Sequence, residues 1–201
     1  PVMVTETERV TVTRERFTRE TFAKVWEVMA DAQSWLRAAT LLGIMTGLRG
    51  EDVAGLKFSD VVDDFLLVEP KKNRGKVKIA IPLALRMEVM GTSLKEVIAD
   101  CRRTGVVSQY MVHQTVHTGR SAPGRPISLN TITNTFKGFV NQALGEGDHR
   151  PTFHELRSLC KRLYIEQGGV DTKALLGHTT DSTAALYANN RGAEFQKVRI
   201  G

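Results

Sequence analysis

The residues of this 201-residue chain that could do chemistry are two arginines, two histidines, a tyrosine and the lysines of one cationic turn. The first five are Arg49, His154, Arg157, His178 and Tyr187. Arginines can bind the non-bridging oxygens of a phosphate and stabilise the charge that builds up on a pentavalent phosphorus. A tyrosine hydroxyl can act as the covalent nucleophile, while histidine or lysine transfers protons. The set predicts phosphoryl transfer that requires no metal ion.

Four of these five residues fall within one stretch, residues 152–187. His154 and Arg157 stand three residues apart at the start of a helical pattern, which places them on one face. Thr152 and Glu155 match a capping box, so we expect the helix to begin just before His154. Two cations at a helix N-terminus oppose the helix dipole unless an anion completes the site. The buried stripe of this helix is predicted to be Leu156, Leu159, Cys160 and Leu163, with Lys161 beside the two cations.

Arg49 lies in residues 46–61, TGLRGEDVAGLKFSDV. Gly47 is predicted to end a buried helix, so Arg49 falls at the break, before a short helix that contains Asp52. An arginine near a turn is usually a surface residue. Here the carboxylate of Asp52, three residues on, could hold the guanidinium in place.

A β-hairpin with a cationic tip is predicted from two runs of strand-forming residues, 64–69 and 76–81, closed by Pro82. Such a charge run is usually a solvated surface, but on a basic protein it could also contact phosphates. Both interpretations stay open. Five cations lie within residues 71–78, between the two runs and at the start of the second: Lys71, Lys72, Arg74, Lys76 and Lys78.

The other periodic segments predict a mixed α+β fold, mainly helical with a small antiparallel sheet. Residues 1–16 have no helical period and are predicted to be a linker or arm. Thr18 and Ser128 are predicted to cap helices. The predicted helices are residues 18–30, 32–45, 83–90, 93–103 and 128–144, and residues 105–112 are predicted to form a short strand.

The composition limits the class of protein. A net charge of +6 and a pI near 9.5 suggest a polyanionic partner. No apolar run approaches the roughly 18 residues that span a bilayer. Two cysteines, Cys101 and Cys160, form no disulfide framework and are typical of a reducing compartment, so we expect the cytoplasm.

Other motifs are weak. Ser158 and Lys161 match the spacing of a serine nucleophile and its base, but nothing else of that machinery is present. His113 and His117 have no third ligand nearby, so we expect no metal site. The sequence has no phosphate-binding loop of the G-x-x-x-x-G-K-[ST] type, and we expect no cofactor. Taken singly, His178 is typical of a helix-capping residue and Tyr187 of a core tyrosine.

The sequence from about Arg14 resembles the tyrosine recombinase (phage integrase) family, most closely the catalytic domain of lambdoid phage integrases. Residues 46–61 are similar to the first arginine box of that family. The HELR motif, the LLGH motif and a tyrosine nine residues later are similar to its second box. The resemblance implies the tyrosine recombinase catalytic-domain fold.

The resemblance also implies a role for each residue. Arg49 and Arg157 would bind the scissile phosphate, and His154 and His178 would contact it or assist proton transfer. Tyr187 would be the nucleophile that becomes joined to the DNA 3′-phosphate and releases a 5′-hydroxyl, with no ATP required. Asp52 would support the first arginine.

A lysine of the hairpin would be the general acid that protonates the leaving 5′-oxygen. An ungapped count from Arg49 selects Lys72, but the hairpin here is about two residues longer than in relatives, so Lys71 or Lys76 could take the role. With Arg74 and Lys161, these lysines are also expected to contact DNA.

The resemblance implies a catalytic domain over residues 17–187 and a tail, residues 188–201, with a short strand around Phe195, Val198 and Ile200 that packs in cis or on a neighbouring subunit. Because the chain starts at Pro1 with few residues before the domain, we expect a fragment of a longer integrase. Its partners would be double-stranded DNA at attachment (core) sites, three further copies in a homotetramer, and DNA-bending accessory proteins. We expect it at the nucleoid in the cytoplasm of a bacterial host.

Two alternatives stay open. A type IB topoisomerase shares the chemistry and would relax supercoils without site preference. A non-catalytic DNA-binding module could keep the fold, although a decayed relative would normally have lost one of the six site residues.

Overall fold

The computed structural model describes residues 15–73, 77–119, 121–177 and 195–201. Its helices pack around one buried helix, α2, and a small sheet lies beside them. The helices are α1 (Arg19–Val28), α2 (Ser34–Thr46), α3 (Gly50–Val53), α4 (Leu94–Arg102), α5 (Leu129–Leu144), α6 (Glu155–Gln167) and α7 (Thr172–Leu175).

Local capping sets where three of these helices begin. The Thr18 hydroxyl accepts a hydrogen bond from the Thr21 amide, and Ser128 does the same for Thr131. Ser93 and Glu96 form a reciprocal capping box at the start of α4. Each cap satisfies an amide that would otherwise lack a partner. The predicted starts of α1, α4 and α5 are therefore confirmed.

Helix α2 is the centre of the core, as its apolar sequence predicts. The other long helices α4, α5 and α6 all contact it. It ends at Gly47, whose φ of +62° is a left-handed conformation that glycine adopts without strain. Its fully buried side chains include Leu36, Ala39, Leu42, Ile44 and Met45.

The predicted hairpin is confirmed: β2 and β3 pair antiparallel, with Phe65 opposite Pro82 and Val68 opposite Ile79. The tail adds β6, which runs parallel to β3 with Gln196 opposite Ile79. The sheet order is β1-β2-β3-β6, so β3 is central and all four of its residues are buried. The strands are β1 (Val61–Val62), β2 (Phe65–Val68), β3 (Ile79–Pro82), β4 (Arg86–Met87), β5 (Thr92–Ser93) and β6 (Gln196–Lys197).

The helix predicted over residues 83–90 is wrong. This segment contains β4, paired with β5, and a 3-10 turn over Glu88–Met90. Buried Leu83, Leu85 and Met87 alternate with exposed residues, which is the period of a strand rather than of a helix.

The strand predicted over residues 105–112 is also wrong. The segment makes one isolated bridge, between Tyr110 and Lys57, rather than a ladder. The buried imidazole of His113 holds this loop in place through contacts with the Tyr110 carbonyl (2.8 Å) and the Thr104 hydroxyl (2.9 Å). The loop satisfies its polar groups without strand pairing.

None of the helices in the described ranges combines the length and the apolarity needed to cross a bilayer.

Candidate active site

Arg157 joins two distant parts of the chain. Its Nη1 donates to the Gly47 carbonyl at 2.6 Å, and its Nη2 donates to the Leu176 carbonyl at 2.6 Å. Gly47 ends α2 and Leu176 ends α7. Two donors fixed in the plane of one guanidinium hold these carbonyls apart at a set distance, which an ammonium group does not do.

Gly47 lies where the ends of α2 and α7 meet α6, and the packing there leaves no room for a side chain. A methyl group placed on its Cα would lie 2.5 Å from Leu176 Cδ2 and 3.1 Å from the Cys160 sulfur. Such contacts are closer than van der Waals distance, so a side chain at this position would displace the Leu176 side chain and crowd the Cys160 sulfur. The absence of a side chain lets the Gly47 carbonyl reach Arg157.

Arg49 brings a second positive charge to Arg157. Burial is the main cause that lowers the pKa of the Arg157 guanidinium, and the charge of Arg49 lowers it further. Two like charges that act on each other favour an anion between or beside them.

Arg49 itself is the residue directly before α3, in an extended conformation, and is half-buried. Among the residues that the structure describes, none forms a hydrogen bond or an ion pair with its guanidinium. Helix α3 packs against α5, and a methyl group on Gly50 would lie 2.7 Å from Leu129 Cδ1. The packing of α3 fixes the backbone next to Arg49, and no described residue bonds to the donors of its side chain.

Asp52 was expected to hold Arg49, but its hydrogen bond goes to the hairpin tip. The Oδ1 atom accepts from the backbone amide of Lys71 at 2.8 Å, and Oδ2 is buried with no hydrogen-bond partner in the described residues. The Asp52 side chain is 6% exposed. Burial raises the pKa of the Asp52 carboxyl, and the charge of Arg49 opposes that rise. Arg49 therefore acts on Asp52 through charge, and Asp52 binds the hairpin.

The hairpin tip contains two of the candidate lysines, in a 3-10 turn over Lys71–Asn73. The Lys71 ammonium donates to the Glu51 carbonyl at 3.0 Å. Lys72 is exposed. Arg74 and Lys76 lie outside the described residues.

His154 is the residue before α6, one turn ahead of Arg157, and its imidazole is exposed. The capping box predicted from Thr152 and Glu155 is wrong. The Glu155 amide bonds to the Thr152 carbonyl at 2.9 Å, and the Thr152 hydroxyl is buried without a partner in the described part of the chain. The predicted buried stripe of α6 is confirmed, and Lys161 is exposed.

His178 and Tyr187 lie outside the described residues. The structure does describe the chain up to Gly177, the residue before His178. A methyl group on Gly177 would lie 3.0 Å from Val77 Cγ1 and 3.1 Å from Ile79 Cδ1, so this glycine packs closely on the segment that forms β3. The Leu176 carbonyl that Arg157 binds is thus two residues before His178.

A model of the phage integrase family matches residues 15–194. The chain belongs to the phage integrase family. The resemblance stated from the sequence is confirmed. Prophage integrase IntE of Escherichia coli (strain K12) is 38% identical over 203 residues, which cover 100% of this chain and 53% of that protein.

Solved structures share the fold of this integrase-family chain. The lambda integrase catalytic core superposes with a TM-score of 0.71 at 36% identity, over 83% of this chain and 96% of that one. A lambda integrase tetramer bound to a Holliday junction gives a TM-score of 0.75 at 34% identity, over 96% of this chain and 53% of that one. The predicted fold class is confirmed. The chain spans about half the length of the curated relatives it matches.

Within the described parts of this integrase-family chain, no group of three or more metal-ligating side chains comes together. His113 bonds within its own loop, and His117 is exposed.

Two groups of the site had no clear signal in the sequence. The carbonyls of Gly47 and Leu176 position Arg157, and a backbone acceptor can belong to any residue type. The glycine after the apolar α2 pattern does predict a helix end, but the proximity of Cys160 and Leu176 to it depends on tertiary packing.

Proposed function

We propose that this chain is the catalytic part of a site-specific DNA recombinase that cuts and rejoins DNA strands through a 3′-phosphotyrosyl intermediate. The observation that carries the proposal is the guanidinium of Arg157, held by the Gly47 and Leu176 carbonyls within the electrostatic reach of Arg49. This contact joins the first arginine box, the H-x-x-R element and the LLGH segment. Membership of the phage integrase family supports the same function.

In this proposal the scissile phosphate of double-stranded DNA binds at Arg49 and Arg157. Arginines form short, charge-assisted bonds to phosphate oxygens and stabilise the added charge of the pentavalent transition state. His154, one turn before Arg157, contacts the same phosphate. His178, two residues after Leu176, contacts it or assists proton transfer.

Tyr187 is the proposed nucleophile. Its phenol has an unperturbed pKa of about 10, so positive charge nearby or a base must favour the loss of its proton at neutral pH. The phenolate oxygen forms a bond to phosphorus as the bond from phosphorus to the 5′-oxygen breaks. Lys72 donates a proton to that oxygen, which leaves a 5′-hydroxyl. The reverse reaction rejoins the strands without ATP, because the phosphotyrosyl ester keeps the energy of the broken phosphodiester.

The proposed substrates and partners follow from the relatives. Solved structures of lambda integrase include a dimer bound to a COC′ core site and a tetramer bound to a Holliday junction. We propose that this chain, too, acts on core-type DNA sites as part of a homotetramer, helped by DNA-bending proteins, in the cytoplasm of a bacterial host. The cations Arg74, Lys76 and Lys161 would contact the DNA backbone.

A nicked suicide DNA substrate tests the proposal. Cleavage releases a short strand that diffuses away, so a covalent protein–DNA complex accumulates. We expect a covalent band with the unchanged chain and none with Tyr187→Phe at equal DNA occupancy. If the unchanged chain forms no covalent band on DNA that it binds, the chain acts as a binding module. Relaxation of supercoiled plasmid without site preference would indicate a topoisomerase.

A further inference from the structure

Lys71 is bonded twice to α3. Its backbone amide donates to Asp52 Oδ1 at 2.8 Å, and its ammonium donates to the Glu51 carbonyl at 3.0 Å. The two acceptors are adjacent residues, and they follow Arg49 by two and three positions. The hairpin tip is therefore fastened to the segment that carries the first arginine.

The Lys71 ammonium lies beside Gly55, at ordinary contact distance. A methyl group on Gly55 would lie 3.4 Å from the Lys71 ammonium and 3.5 Å from the Glu51 carbonyl oxygen. Asp52, Gly55 and Lys71 line the same groove. The Lys71 side chain thus lies along the end of α3, although it remains exposed to solvent.

Lys72 differs from its neighbour. Both lysines are exposed, but within the described ranges the Lys72 ammonium forms no hydrogen bond and no ion pair. The turn that holds Lys72 is the turn that Lys71 fastens. The Lys71 ammonium is bonded to a protein acceptor, whereas no acceptor among the described residues bonds to the Lys72 ammonium.

We propose that Lys71 is a positioning residue that latches the hairpin tip onto α3, so that Lys72 can donate its proton to the leaving 5′-oxygen. The proposal rests on the recombinase function proposed above and assigns different roles to the two lysines. A general acid acts only when its donor lies within hydrogen-bond reach of the leaving atom. A shift of the tip by about 1 Å would reduce the cleavage rate, on the order of 10²-fold at most.

The test compares two suicide substrates, one with the normal 5′-oxygen at the scissile phosphate and one with sulfur in its place. A thiolate leaves without taking up a proton, so a defect in general acid catalysis disappears with the sulfur substrate, whereas a defect in phosphate binding persists. Single-turnover cleavage rates and DNA dissociation constants would be measured at one salt concentration. The variants are Lys71→Met, Lys71→Arg, Lys72→Met, the double variant, and Lys95→Met as an exposed control.

We expect Lys72→Met to lower the single-turnover cleavage rate of the oxygen substrate by about 10²- to 10⁴-fold, the range for general acid catalysis. Lys71→Met should lower the cleavage rate of the same substrate by roughly 10- to 100-fold. Both should approach the unchanged rate on the sulfur substrate, and Lys71→Arg should retain the rate because it keeps a cationic donor. The double variant should cleave the oxygen substrate no more slowly than Lys72→Met alone. Lys71→Met should have the same DNA dissociation constant as Lys95→Met.

Three outcomes would contradict the positioning role of Lys71. Lys71→Met could cleave the oxygen substrate as fast as Lys95→Met. It could bind DNA more weakly and stay slow with sulfur, which would make Lys71 a phosphate contact. Lys72→Met could be fully active while Lys71→Met is inactive, which would make Lys71 the acid. If the unchanged chain forms no covalent complex on either substrate, the recombinase function itself is wrong.

Discussion

Arg157 Nη1 donates to the Gly47 carbonyl at 2.6 Å, although the two residues are 110 positions apart in the chain. This contact sets the H-x-x-R helix against the end of α2, two residues before Arg49. The second donor of the same guanidinium reaches Leu176. The arrangement of the proposed phosphate site therefore depends on one planar group and two backbone carbonyls.

Gly47→Ala should weaken both the fold and the site. The left-handed φ of +62° costs a residue with a side chain about 1–2 kcal/mol, and the new methyl group would lie 2.5 Å from Leu176 Cδ2. We expect a loss of about 1–3 kcal/mol in the free energy of unfolding, measured by urea denaturation.

Gly138→Ala is the matched control for that measurement. Gly138 lies inside α5, and a methyl group there would have nothing within 4 Å. Alanine should stabilise this position by about 0.5–1 kcal/mol, because glycine is a poor residue inside a helix. Equal effects of the two substitutions would contradict the role given to Gly47.

Arg157→Lys should separate charge from geometry. Lysine keeps the positive charge but cannot present two fixed donors to the carbonyls of Gly47 and Leu176. We expect DNA affinity within a few-fold of the unchanged chain and a loss of covalent complex formation on the order of 10²-fold or more.

Arg162→Lys serves as the control for that substitution. Arg162 lies on the same helix, but it donates to the Phe17 carbonyl, away from Gly47 and Leu176. Its cleavage rate should stay near that of the unchanged chain. If Arg157→Lys cleaves equally well, the guanidinium does not organise the site.

The stability of the fold should depend on pH through Asp52. Burial raises the pKa of its carboxyl above the unfolded value of about 3.9, so the folded chain binds more protons than the unfolded chain between those two pKa values. The contribution of Asp52 to stability is complete below the unfolded pKa and is lost as the pH rises through the folded pKa.

Asp52→Asn removes this titration. The free energy of unfolding of Asp52→Asn minus that of the unchanged chain should be more positive at pH 7 than near pH 3.5. Chemical denaturation at several pH values measures it, and Asp148→Asn, at an exposed loop position, controls for the loss of a negative charge. A difference that is constant or has the opposite slope would show that the Asp52 carboxyl is not destabilised by burial.

The parts of the fold that the sequence predicts are those set by nearby residues. Thr18 and Ser128 cap helices through bonds three residues away, and the two runs of strand-forming residues, 64–69 and 76–81, predict the hairpin. The segment with Leu83, Leu85 and Met87 forms a strand where the sequence predicts a helix, because so short an apolar run does not distinguish the two by periodicity alone.

The site is less accessible to sequence reasoning. The resemblance to a family identifies Arg49 and Arg157, but the acceptors of Arg157 are backbone groups far away in the chain. Asp52 was assigned to Arg49 because they are three residues apart, yet its hydrogen bond goes to Lys71, 19 positions away. Tertiary packing decides such contacts, and no local pattern encodes them.

The most direct measurement of the central claim is the identity of the residue that becomes joined to DNA. The covalent complex from a suicide substrate would be digested with protease and nuclease, and the nucleotide-bearing peptide sequenced by mass spectrometry. We predict a single adduct, on Tyr187, through a 3′-phosphate. An adduct on another residue, a 5′-phosphate linkage, or no adduct on DNA that is bound at full occupancy would contradict it.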